Sequence, residues 1–238
     1  MRNLIKIPRG FVSFLALCSI IGGLILLLNA ILPLLHYELI AAIRFQRQEF
    51  LSPVPPVYFG GQVSGIKSEV YPLNLIQPQN WFEGSVELPQ VESKIEYYNI
   101  SIPRLKIKDA VVQIGGTDLT KNLIHYKGTA IPGTEGNAVV FGHSSLPQFF
   151  SPSNYLSIFA KLPTLQAGDD IIVNYDGITY KFKVQEMFEV KPTDIQVLAQ
   201  RYDNSYLTLV TCVPPGTYLR RLVVIAKLIP PEYNNYGL

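Results

Sequence analysis

The chain has 238 residues, 48% of them hydrophobic and 16% charged, with a net charge of +2. That balance is too apolar for a disordered protein. The small charge, with no Lys/Arg-rich block, gives no reason to expect nucleic-acid binding, and the length accommodates one good core plus appendages.

Arg2, Lys6 and Arg9 open the chain with no acidic residue among them, and Phe11 to Leu35 carries no charged side chain. As a helix, residues 11–35 span about 37 Å at about 1.5 Å per residue, enough to cross a hydrocarbon core of about 30 Å with some tilt. The rival reading, a cleaved signal peptide, has a shorter apolar core followed by a small-x-small cleavage site. Here the run is longer and ends Leu-Pro-Leu-Leu-His-Tyr-Glu. An uncleaved anchor over 11–35 is expected, with residues 1–10 cytoplasmic by the positive-inside rule and the rest of the chain outside.

This topology makes the cysteines informative. Cys18 falls inside the span and Cys212 outside it, so the two are not expected to pair. A lone cysteine in an extracytoplasmic compartment is an intermolecular bridge, an inert buried thiol or a reactive one.

Residues 36–92 read as stalk and linker. His36 sits at the membrane boundary, and His36 to Leu51 has a helical composition that would extend the anchor helix. Pro53, Pro55, Pro56, Pro72, Pro78 and Pro89, with Gly60, Gly61 and Gly65, then argue against regular structure. Trp81 and Phe82 are candidates to pack on the surface of the following domain.

Residues 93–230 have the texture of an all-β domain. Ile95 to Ile102 is strand-like until Pro103. Ala110 to Ile114 ends at Gly115-Gly116, and Asn137 to Gly142 is a third apolar run. Leu156 to Leu165 is compatible with one short helix. Asp170 to Tyr175 leads into Asp176-Gly177, a two-residue hairpin signal. Tyr180, Phe182 and Val184 then alternate with Lys181, Lys183 and Gln185. Tyr206 to Thr211 and Arg221 to Leu228 close the domain. Seven or eight strands at this spacing predict a sandwich or a closed barrel. Residues 231–238 form a tail with no hydrophobic anchor.

With one external Cys, His125 and His143, and several Arg, the chemistry to test is thiol catalysis. A thiolate attacks an acyl carbon, an imidazole moves the leaving-group proton, and a cation or amide stabilises the oxyanion. One Cys and two His at these spacings match no zinc pattern, and no cofactor is called for. Cys212 ends an apolar strand before Val213-Pro214-Pro215-Gly216; it is either a small buried hydrophobe or a thiol at a rim. His143 follows Gly142 at a strand end, either as a hydrogen-bonded structural residue or as a proton carrier. Arg220 and Arg221 begin the last strand on opposite faces, either as two solvated cations or with one on the face of Cys212.

The stretch Thr208-Leu209-Val210-Thr211-Cys212, with a short loop and then Arg220-Arg221-Leu222-Val223-Val224, resembles the signature of the sortase family. Upstream, His125-Tyr126-Lys127-Gly128-Thr129-Ala130-Ile131-Pro132-Gly133 leads to Gly136-Asn137 and ends at Gly142-His143, which is similar to the family's other block. Ile102 to Ile107 matches the usual domain opening. The resemblance implies an eight-stranded sortase-type β-barrel with short helices, behind an N-terminal transmembrane helix. It also implies roles. Cys212 is the nucleophile toward a Leu-Pro-x-Thr-Gly-like (LPxTG-like) sorting signal, and His143 protonates the leaving amine and later deprotonates the incoming one. Arg221, directly before Leu222, stabilises the oxyanion, with Arg220 as the fallback. Thr211 contributes to the oxyanion site, and His125 is supporting or structural. The implied partners are surface proteins bearing the sorting signal and an amine acceptor, either the peptidoglycan stem or cross-bridge or a pilin lysine.

His143 is followed by Ser144-Ser145, where many relatives have Arg or another residue. The loop between Cys212 and Arg221 is short, as in class C-like and class D/E-like members. The linker has no Asp-Pro-aromatic lid motif and the tail no second membrane span, both common in pilin polymerases. The expectation is a housekeeping or unclassified member, without calcium dependence. Two other readings accompany it: a cysteine hydrolase of cell-surface peptides, and a non-catalytic surface module on the same scaffold.

Overall fold

The computed structural model describes residues 9–47, 77–81 and 95–230. They fall into two compact units divided after Ile43. The first consists of most of helix α1, Arg9–Arg44. Its stretch Val12–Arg44 is long and apolar enough to cross a membrane. Pro33 lies inside the helix, where it removes one donor from the backbone ladder.

The second unit is a closed barrel. Its strands are β1 (Gln46–Arg47), β2 (Tyr97–Ile102), β3 (Ile107–Ile114), β4 (Leu123–His125), β5 (Gly136–Phe141), β6 (Asp170–Tyr175), β7 (Ile178–Val190), β8 (Ser205–Val213) and β9 (Arg220–Leu228). Neighbours run β1-β7-β6-β2-β3-β4-β5-β8-β9, and a further β7–β9 pairing closes the ring. Eight strands form the barrel, as the family resemblance implies. The short β1 lies outside the ring, parallel to β7, with Gln46 opposite Phe188 and Arg47 opposite Glu189.

Burial follows each strand's place. β5 and β8 are neighbours inside the ring, and every residue of both is buried. Their near-continuous apolar runs are what a strand covered on both faces requires. The first half of β7 alternates instead, with Phe182 and Val184 buried between more exposed neighbours, because one face meets the core and the other water. The β6–β7 hairpin turns at Asp176 and Gly177, with φ of 51° and 72°. Both are positive, as the turn that matches strand twist demands, and glycine meets that demand without steric cost.

Three expectations are corrected. Leu156 to Leu165 does not form an α-helix; it is a run of turns ending in a 3-10 turn at Leu162–Thr164, where Pro163 lacks a backbone donor. The helical stalk stops at Arg44, and Gln46–Arg47 joins the sheet. Trp81 does not rest on the domain surface: it ends the 3-10 turn Pro78–Trp81 and is 0% exposed. Phe82, most of the Pro-rich linker and residues 231–238 lie outside the described residues.

Candidate active site

β8 carries Cys212 near its end, and β9 returns so that Cys212 lies directly opposite Arg221. Gly142 N–H donates to Val210 O at 3.1 Å, so the even-numbered backbone groups of β8 turn toward β5. Cys212 and Arg221 are thus a non-hydrogen-bonded antiparallel pair, the narrower kind, with side chains on one face. Cys212 is 6% exposed and Arg221 2%. Burial pushes the Cys212 thiol up to about 11, while the Arg221 charge pulls it down. Burial in turn lowers the Arg221 guanidinium, and Cys212 opposes that shift.

The Arg221 fork is satisfied entirely by backbone carbonyls. Nε and Nη2 donate to Trp81 O at 3.2 and 2.8 Å, and Nη1 donates to Tyr218 O at 2.9 Å and Arg220 O at 3.3 Å. Carbonyl dipoles hold the fork in place without cancelling its charge, so the charge stays available to an anion formed nearby. Cζ of Arg221 also lies 5.5 Å from the Trp81 ring centroid, within cation–π range.

Trp81 links the parts of the site. Its indole meets Phe141 edge-on at 5.4 Å and lies 5.9 Å from the His143 ring, centroid to centroid. Cys212 belongs to the same buried cluster. His143 is half-buried just past β5. Burial lowers its imidazole pKa, and the carboxylate of Asp118 opposes the shift. The preceding Gly142 is sterically required: a Cβ there would sit 2.4 Å from Phe159 Cδ2 and 2.6 Å from Leu123 Cδ2.

The other sequence-predicted residues lie elsewhere. Arg220 Nε donates to Glu189 at 2.7 Å, and Glu189 is buried in β7. Arg220 is thus committed to an internal ion pair while Arg221 faces the thiol. Thr211 is fully buried, and its hydroxyl donates to Gly142 O at 2.7 Å. His125 is buried with both ring nitrogens engaged, Nδ1 with Tyr98 Oη and Nε2 with Thr129 Oγ1, each at 2.9 Å. Thr129 spends its own proton on Tyr126 O at 2.7 Å. Nε2 therefore carries the ring proton, and Nδ1 accepts from the Tyr98 hydroxyl. Burial lowers this imidazole to about 4, with Thr129 opposing. It is a neutral structural histidine.

Sequence reasoning missed the part Trp81 plays. The available signal was that it is the chain's single tryptophan, beside Phe82 in a Pro-rich segment. Glu189 carried no signal of its own, because a glutamate in a strand is indistinguishable from a solvated one until its pairing is known.

A family model for the sortase domain matches residues 100–229. Sortase D of Bacillus subtilis (strain 168) is 23% identical over 136 residues, covering 55% of this chain and 62% of that protein. The chain thus spans less than two thirds of that relative's length. Sortase C-1 from Actinomyces oris is similar with a TM-score of 0.50 and 28% identity, over 58% of this chain and 76% of that one. A lid mutant of sortase A from Corynebacterium diphtheriae is similar with a TM-score of 0.50 and 30% identity, over 63% of this chain and 78% of that one.

Proposed function

The chain belongs to the sortase family, and from that premise we propose that it is a membrane-anchored cysteine transpeptidase acting outside the cytoplasmic membrane. Residues 11–35 anchor it, with the basic N-terminus of residues 1–10 inside. The substrate is a surface protein carrying an LPxTG-like sorting signal. The acceptor is an amine of the cell wall or of a pilin.

The observation that carries this reading is the direct opposition of Cys212 and Arg221 across β8 and β9. The thiol proton passes to His143, which creates a thiolate and an imidazolium. Sγ attacks the carbonyl carbon of the threonine-type residue, and the carbonyl π electrons move to oxygen. Arg221 stabilises that oxyanion as a charged, forked donor. The tetrahedral species collapses, the C–N bond breaks, and the imidazolium protonates the departing amine. A thioacyl enzyme remains. The incoming amine attacks it, His143 takes the amine's proton, and the thiolate leaves with the new amide formed.

The free site begins far from this reactive state. Its thiol is driven toward the neutral form by burial, and burial also favours a neutral His143. Substrate entry exchanges the Trp81 carbonyl on Arg221 for a substrate oxygen. The test is the full chain in detergent with a sorting-signal peptide, with and without glycine or lysine acceptors, and products read by mass spectrometry. Acceptor-dependent amide formation that disappears in Cys212→Ala is the expected result. Hydrolysis with no acceptor incorporation would overturn transpeptidation in favour of a cysteine hydrolase.

A further inference from the structure

Backbone polarity alternates along β8 and decides where the amide of Cys212 points. Gly136 N–H donates to Asn204 O at 2.9 Å and Gly142 N–H to Val210 O at 3.1 Å. Even-numbered residues of this segment therefore turn their amides and carbonyls toward β5. The far side of the sheet agrees. Ile229 N–H donates to Lys181 O at 2.8 Å, so odd-numbered residues of β9 face β7 and even-numbered ones face β8. Even-numbered β9 residues meet the odd-numbered β8 residues, as in Thr211 with Leu222 and Val213 with Arg220. The Cys212 amide is thus turned away from β9 and toward the strand end that leads to His143.

In a regular parallel ladder the next bond would run from Cys212 N–H to Gly142 O. That bond is absent among the described residues. The Gly142 carbonyl instead accepts the Thr211 hydroxyl at 2.7 Å. The last rung is replaced by a side chain, and the amide of the nucleophile is left without a protein acceptor among the described residues. A nucleophile's own amide is well placed to meet an oxyanion, as in serine proteases, where it supplies one of two donors.

We propose that the Cys212 backbone N–H is a catalytic oxyanion donor beside Arg221, and that Thr211 is a positioning residue that keeps this amide unpaired by occupying Gly142 O. The proposal rests on the Cys212 acyl-transfer reading above. It assigns Thr211 an indirect part in the oxyanion site. Its side chain lies on the opposite face of β8 from that of Cys212, and its hydroxyl proton is already spent. Removing the hydroxyl leaves the buried Gly142 O without a donor, and closing the Cys212 amide onto it satisfies that oxygen, completes the ladder and removes the oxyanion donor.

The experiment compares wild type, Thr211→Val and Thr211→Ser as full chains in detergent. Acyl transfer needs an oxyanion donor, whereas alkylation by iodoacetamide displaces iodide and forms no oxyanion. In Thr211→Val, kcat falls by roughly 100-fold, the cost scale of losing one oxyanion donor, while KM and the alkylation rate stay within about twofold. Thr211→Ser retains the hydroxyl and restores most of kcat. Wild-type kcat in Thr211→Val overturns the proposal. So does alkylation that falls in step with kcat, or a serine variant as slow as the valine one. If the valine variant does not fold, the Cys212 amide proton is followed by NMR as a peptide aldehyde adds to Sγ. A downfield shift is expected, and none overturns the proposal. A wild-type chain that alkylates but transfers no acyl group overturns the transpeptidase reading instead, and this proposal with it.

Discussion

The backbone carbonyl of Trp81 accepts two hydrogen bonds from the guanidinium of Arg221, from Nε at 3.2 Å and Nη2 at 2.8 Å. A residue far upstream in the chain thus occupies the group assigned to the oxyanion, and its indole borders His143. Arg221 is satisfied without substrate, so on the proposed function binding is an exchange of partners rather than the filling of an empty fork.

Removing that indole should expose the thiol. Burial is the largest cause of the raised Cys212 pKa, so water admitted by Trp81→Ala lowers it and enriches the thiolate. Iodoacetamide alkylation at pH 8 is expected to accelerate by about tenfold, the effect of one pKa unit. An unchanged or slower rate would mean that Trp81 does not shield the sulfur.

The two adjacent arginines should fail in different ways. Arg221→Lys replaces a planar fork by a point charge, so acyl transfer drops steeply, beyond what the loss of some carbonyl hydrogen bonds takes from stability. Arg220→Met removes the nearer of two cations on the buried Glu189 carboxylate, Arg220 at 2.7 Å against Arg47 at 3.9 Å, and should cost about 1 to 3 kcal/mol of stability. Urea unfolding and turnover measured on both variants separate the roles. If Arg220→Met were stable and inactive, the assignment would be reversed.

His125 makes stability depend on acid. Its folded-state pKa of about 4 lies below the ordinary 6.5, so the unfolded chain binds a proton that the folded chain refuses. The stability it contributes is complete above pH 6.5 and is lost as pH falls toward 4, by about 3 kcal/mol in all. Thermal melts between pH 7 and 4 should show this loss, and His125→Gln should flatten it. Turnover in that variant should suffer less than in His143→Ala.

The Cys212 thiol should titrate late. With the Cys212 pKa near 11, alkylation climbs about tenfold per pH unit from 8 to 10, whereas an ordinary cysteine near 8.5 levels off by about 9.5. Arg221→Met removes the charge that favours thiolate and should shift the rise to still higher pH. A plateau near pH 9 in the wild type would contradict the buried, neutral thiol.

The strands that carry Cys212 and Arg221 were legible because their information is local. The nine-residue step from Cys212 to Arg221 spans one hairpin connection, and alternation alone puts Arg220 and Arg221 on opposite faces. Asp176-Gly177 named its own turn. Trp81 was not legible, because its place depends on packing across a long sequence separation, and the prolines around it signal only the lack of regular structure. Nor was the Thr211–Gly142 bond, where a side chain takes the place of the last rung of a ladder. Leu156 to Leu165 misled because its apolar spacing suits a helix, whereas Pro163 and the packing of Ile158 and Phe159, both fully buried, favour tight turns.

Because β7 pairs with β9, each of the eight ring strands has a neighbour on both sides. A sheet with no open margin offers an incoming polypeptide few amides to extend. The same closure guards the domain against sticking, strand to strand, to copies of itself.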